Sequence, residues 1–156
     1  MRLAVWWKLL LSGVVFLACG CSDGRPRCYP VSGTIEVDGK PLSGKLDGTV
    51  RFVTVDTQGE YGRPATGHLD ENGRFSLTSY EQNDGCPKGT YKVELQILET
   101  RGKQLYYVVP PRYESAAQSD LQVEITGKTE DLKLEVRWLP EDASFRAPIR
   151  GEDGAS

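Results

Sequence analysis

The scarcities that bound this chain most tightly are one histidine, one methionine and the lack of any Lys/Arg cluster. A lone His68 cannot supply a His-based zinc site. Nor can it serve a Ser-His-Asp arrangement without a partnered nucleophile, and no nucleophile elbow stands in the sequence. The 156 residues carry 19 basic and 22 acidic side chains, a net charge of -3, and loss of Arg2 and Lys8 with a leader takes this to about -5. An acidic chain without a basic cluster argues against nucleic acid as a partner. No stretch keeps a helical period over a useful length, and only "ESAAQSD" (Glu114 to Asp120) suits a helical turn. Seventeen glycines and nine prolines are scattered without period, which excludes collagen and low-complexity readings and suits one domain of short elements joined by turns.

A long apolar run is missing too. Crossing a bilayer takes about 20 uninterrupted apolar residues, whereas Lys8 divides the N-terminal run and leaves only Leu9 to Ala18. Residues 1–20, "MRLAVWWKLLLSGVVFLACG", have instead the basic start, apolar middle and small-residue end of a helical secretory signal peptide. The end reads "FLACGCSD", and a cysteine directly after Ala18 or Gly20 resembles the bacterial lipobox, in which the thiol is acylated and becomes the mature N-terminus. Cys21 is the favoured lipidation site, because Gly20 precedes it and the chain turns polar at once; Cys19 is the alternative. A C-x-C pair alone supplies two metal ligands with no His nearby, so no metal is assigned there. The expectation is a bacterial envelope lipoprotein held to the membrane by its N-terminal lipid and facing the periplasm or the surface. Its parts would be a signal peptide (1–20), a tether (21–30), a β-sandwich (31–139) and a disordered tail (140–156).

The body reads as strands. "VSGTIEV" alternates from Val31 to Val37 and meets the turn Asp38-Gly39; "TVRFVTV" (Thr49 to Val55) is β-branched and aromatic. Asp70-Glu71-Asn72-Gly73 precedes "RFSLTS" as a hairpin turn, with Phe75 and Leu77 on one face. "GTYKVELQIL" has the clearest period of two, with Tyr91, Val93, Leu95 and Ile97 inward and Lys92, Glu94 and Gln96 outward. "LQVEITG" and "LKLEVRW" repeat the pattern. About seven short strands with one apolar face each predict an all-β fold of two antiparallel sheets packed face to face, an Ig-like sandwich.

The pieces in order, "YPVSGTIEVDGKPL", "TGHLDENGRFSL", "GTYKV", and "PPRYESAAQSDLQV", resemble small lipoproteins of planctomycete type that carry a carboxypeptidase-regulatory-like, or transthyretin-like, β-sandwich. The match runs from Pro30 to Val136. The resemblance implies a fold and a location, and brings no catalytic residues or cofactor. Two departures are the polar segment Lys45 to Gly48 and a cysteine, Cys86, where a small residue is usual. An enzyme of that fold, the hydroxyisourate hydrolase, needs several histidines and a C-terminal Tyr-Arg-Gly-Ser, whereas this chain has one histidine and ends Gly154-Ala155-Ser156.

Three candidate sites follow from the residues. Cys28 and Cys86, at neighbouring ends of one sandwich in an oxidising space, are either a disulfide or two free thiols. Tyr106, Tyr107, Arg112 and Tyr113, around Pro110-Pro111, form either a binding patch or a strand whose prolines close the sandwich edge. Asp70 to Gly73 has too few oxygen ligands for calcium and reads as a turn. The function expected is a non-catalytic binding or structural module meeting an envelope protein or polysaccharide. The alternatives are a carrier of a small ligand, carbohydrate or metal, and, behind it, an enzyme of an uncatalogued kind.

Overall fold

The computed structural model describes residues 24–44, 46–55 and 63–145. The expected signal peptide, Cys19, Cys21, Lys45 and the chain past Phe145 lie outside the described residues. Among the described residues nine strands follow in order: β1 (Val31–Val37), β2 (Lys40–Pro41), β3 (Leu46–Thr54), β4 (Ala65–His68), β5 (Arg74–Ser76), β6 (Gly89–Arg101), β7 (Gln104–Tyr107), β8 (Gln122–Ile125) and β9 (Thr129–Val136). Seven were expected, and the surplus comes from short pieces such as the two-residue β2. Short 3-10 helices cover Pro111–Glu114 and Pro140–Phe145.

The all-β sandwich is built from two sheets. In the first, β1 is central, with β2 and β5 along one edge and β9 along the other. In the second, β4, β3 and β6 lie side by side, and the outer edge of β6 is shared by β8 at its start and β7 at its end. Each hairpin has a local cause. Asp38 and Gly39 adopt φ of 49° and 76° between β1 and β2, the left-handed pair of a type I′ turn. Between β4 and β5, one oxygen of Asp70 accepts the amides of Asn72 (2.8 Å) and Arg74 (2.9 Å), and Gly73 takes φ 68°.

One expectation is corrected. The sheets are not wholly antiparallel, because β1 and β9 run parallel from Val31↔Thr129 to Val37↔Val136. β8 belongs to the second sheet, so residues 126–128 arch across the sandwich and deliver β9 alongside β1 without a hairpin. The register slips between Val31 and Gly33, and Asp131, at φ 58°, takes the bulge.

The core lies between the sheets and follows the period of two. Tyr91, Val93, Leu95 and Ile97 of β6, Val50 and Phe52 of β3, Ile35 of β1 and Leu134 and Val136 of β9 are all buried. Phe52 is the centre, its ring 6.3 Å from Phe75 of the opposite sheet and 5.8 Å from Tyr91. Burying such a side chain stabilises by about 2–3 kcal/mol.

Both ends of the body extend beyond the expected limits. The described part of the tether is docked: Tyr29 exchanges backbone hydrogen bonds with Cys86 (2.9 and 3.2 Å), and the Arg25 guanidinium lies 5.5 Å from the Tyr80 ring centre. The expected tail is partly ordered as well. Residues 140–145 form a 3-10 helix, which moves the boundary of the body from 139 to Phe145.

Candidate functional site

A cleft of about 770 Å³ opens where the β4–β5 hairpin splays between the sheets. β4 pairs with β3 in one sheet and β5 with β1 in the other. The two arms still exchange hydrogen bonds between Thr66 and Thr78, both 2.9 Å. Ser32 and Thr34 of β1, Thr66 and His68 of β4, and Arg74 and Ser76 of β5 line the cleft, with Arg63 and the loop carrying Gln82 and Asn83 at its rim. These are the outward members of alternating strands, so the apolar faces go to the core and a wall of hydroxyls is left.

Charge in the cleft is set by a few groups. Arg63 and Arg74 are exposed, and His68 is exposed at the end of β4. Asp70 spends one carboxylate oxygen on its own turn, and Asp131 stands in the β9 bulge. The Arg63 guanidinium lies 5.8 Å from the centre of Tyr80, the ring that Arg25 also approaches. None of these residues except His68 and Asp70 draws notice in the sequence. The signal that could have found them is the outward alternation on both arms of one hairpin.

The thiols form a second locus. Cys28 and Cys86 are both free, yet the Tyr29–Cys86 backbone pair puts Cys28 one residue from the residue facing Cys86. Cys86 is fully buried beside the Tyr91 hydroxyl, and burial pushes its pKa up to about 11. Burial and then the Asp84 charge raise the Cys28 pKa. Asp84 is the organiser of this loop. Its carboxylate accepts the amides of Ser79 (2.7 Å), Tyr80 (3.0 Å) and Glu81 (3.1 Å). Burial opposes its charge, but these donors outweigh burial and its pKa is lowered. Gly85 beside it is irreplaceable: at φ 81°, a Cβ would stand 1.8 Å from the Tyr29 carbonyl oxygen.

The four aromatic-patch residues do not form one surface. Tyr113 is a core residue with 1% exposure. Arg112 is drawn inward, donating to Asp142, to the Tyr113 hydroxyl (3.0 Å) and to the Arg137 carbonyl (2.6 Å). Burial raises the Tyr113 pKa. Tyr106 and Tyr107 stay half-buried on β7, Tyr106 under the Arg101 guanidinium at 5.3 Å and Tyr107 edge-on to Phe145 at 6.4 Å. Tyr107 also lines a smaller groove of about 300 Å³ with Trp138, Arg101 and Leu42. The patch therefore divides into a structural half and a half-buried surface half, a division that tyrosine's fitness for both roles hides in the sequence.

Among the described residues no group of three or more His, Cys, Asp and Glu is placed to hold a metal ion, and no helix is long and apolar enough to cross a membrane. The Asp70 turn shows why a short acidic run need not be a metal loop, since its carboxylate caps the backbone. In comparisons with known proteins, no family model, no curated protein and no solved structure matches the chain.

Proposed function

We propose that the chain is a lipid-anchored extracytoplasmic lipoprotein of a bacterial envelope. Its β-sandwich would serve as a non-catalytic binding or structural module. Residues 1–20 would be removed and Cys21, or alternatively Cys19, acylated, each buried methylene adding about 0.8 kcal/mol of membrane affinity. The observation that carries this reading is the short distance between the C-x-C pair and the body. Residues 22–28 alone separate Cys21 from Tyr29, the first residue to pair with the sandwich. At about 3.5 Å per residue, a tether of that length holds the domain within about 25 Å of the bilayer surface.

Such an arrangement suits a module that meets envelope protein or polysaccharide at close range. The polar cleft favours, as a second reading, a carrier of a small ligand or carbohydrate. Radiolabelled palmitate tests the anchor. Label should enter the unmutated protein and be absent from a Cys19→Ala/Cys21→Ala double variant, and an unlabelled parent protein would sink the proposal.

A further inference from the structure

Among the described residues the acidic chain pairs neither of two guanidinium groups in this cleft with a carboxylate, although Asp70 and Asp131 also line it. Arg51, Arg101, Arg112 and Arg137 each make an ion pair with Asp or Glu. Among the described residues Arg63 and Arg74 make none, and both are exposed in the cleft. Arg63 is instead steadied against Tyr80. Asp70, the acid nearest Arg74 in sequence, is engaged with backbone amides, one of them that of Arg74 itself. Cations that no described acid pairs have donors to offer to something outside the chain. A guanidinium matches a carboxylate with two parallel hydrogen bonds.

The same cleft is lined by Ser32, Thr34, Thr66 and Ser76, whose alcohols both donate and accept. That combination fits a molecule carrying many hydroxyls and a few negative charges. The cleft volume, about 770 Å³, has room for several sugar rings. We propose that the cleft binds an acidic saccharide, with Arg63 and Arg74 clasping uronate carboxylates while the serine and threonine hydroxyls meet the ring alcohols. The inference rests on the binding-module reading above and names its ligand class.

Calorimetric titration of the full chain in detergent micelles tests it, with hexagalacturonate, its carboxyl-reduced neutral counterpart and hexaglutamate as probes. Hexagalacturonate should bind, and both other probes should bind at least tenfold more weakly, the first for want of charge and the second for want of hydroxyls. An Arg63→Gln/Arg74→Gln variant should lose at least tenfold in affinity at an unchanged melting temperature. A Thr66→Ala/Ser76→Ala variant should weaken binding to the saccharide more than to hexaglutamate. Absence of binding, equal binding of either control probe, or full affinity in the folded double-arginine variant would each overturn the proposal. Palmitate labelling reads the anchor whichever way these titrations fall, so the two proposals fail separately.

Discussion

Arg112 and Asp142, thirty positions apart, are joined by a hydrogen-bonded ion pair that fastens the C-terminal 3-10 helix to the body. Asp142 is 7% exposed and also accepts the Leu139 amide (3.0 Å), while Arg112 continues to the Arg137 carbonyl and the Tyr113 hydroxyl. A pair so enclosed differs in kind from the exposed Lys133–Glu36 pair across β9 and β1.

Removing one partner of an enclosed pair strands the other charge, which costs about 3 kcal/mol. Asp142→Ala should therefore lower the urea midpoint by that equivalent, whereas Lys133→Ala should leave it nearly unchanged because solvent screens that pair. Equal effects of the two substitutions would show that the 3-10 helix is not fastened through Arg112.

The alternating strands are where the sequence speaks most plainly. Each apolar position of "YKVELQI" is buried, because a strand with one face in the core admits only one register. The direction of β9 is another matter. Its pattern fixes the inward face of Leu134 and Val136 but not whether the chain lies parallel or antiparallel to β1, since no turn joins them. Asp142 and Phe145 escape notice because a buried acid and one aromatic carry no period. The cleft escapes for a different reason: Ser32, Arg63, Thr66 and Arg74 come from separate segments, and only the splayed hairpin brings them together.

Asp84 offers a test of the loop that carries the second thiol. Hydrogen bonds to a charged acceptor contribute about 1.5–3 kcal/mol, and the carboxylate is half-buried, so Asp84→Ala should destabilise by about 2 kcal/mol at pH 7. Its pKa is lowered from the usual 3.8, so unfolding takes up a proton in the acid range. The contribution is thus complete above the unfolded value and fades as pH falls through the lower folded one. Melting curves at pH 7 and pH 3 should show the parent and the variant converging at the acid end.

Cys86 predicts the opposite limb. The unfolded thiol ionises near 9.0 while the folded one keeps its proton to about 11, so the folded state binds more protons between those values. Stability should fall as pH rises from 9 to 11, and Cys86→Ala should flatten that slope. In reduced protein at pH 8, iodoacetamide should modify Cys28 first and reach Cys86 only after denaturant is added. Protein isolated from the envelope carries a separate expectation under the proposed location. There the two thiols would pass two hydrogens to an oxidising disulfide and become a bridge worth about 4 kcal/mol by loop closure. Mass spectrometry should then count two fewer alkylatable thiols without reductant, and a full count would exclude the bridge.

Gly33 tests the parallel seam between β1 and β9. It faces Leu132 just past the bulge, and a Cβ there would stand 2.2 Å from the Leu132 carbonyl oxygen and 2.9 Å from the Phe75 ring. Backbone cannot yield as a flexible side chain does, so Gly33→Ala must push β9 from β1 or displace Phe75 from Phe52. Overpacking of this kind costs about 1–3 kcal/mol. The two escapes give different readouts in hydrogen exchange. Movement of the strand should expose the β9 amides that pair with β1, from Leu132 onward, while the β3–β6 ladder stays protected. If instead both sheets lose protection together at unchanged β9 pairing, the strain has gone into the core through Phe75. The seam is the expected route, because the bulge at Asp131 already interrupts its register and leaves Leu132 the shorter path to give way.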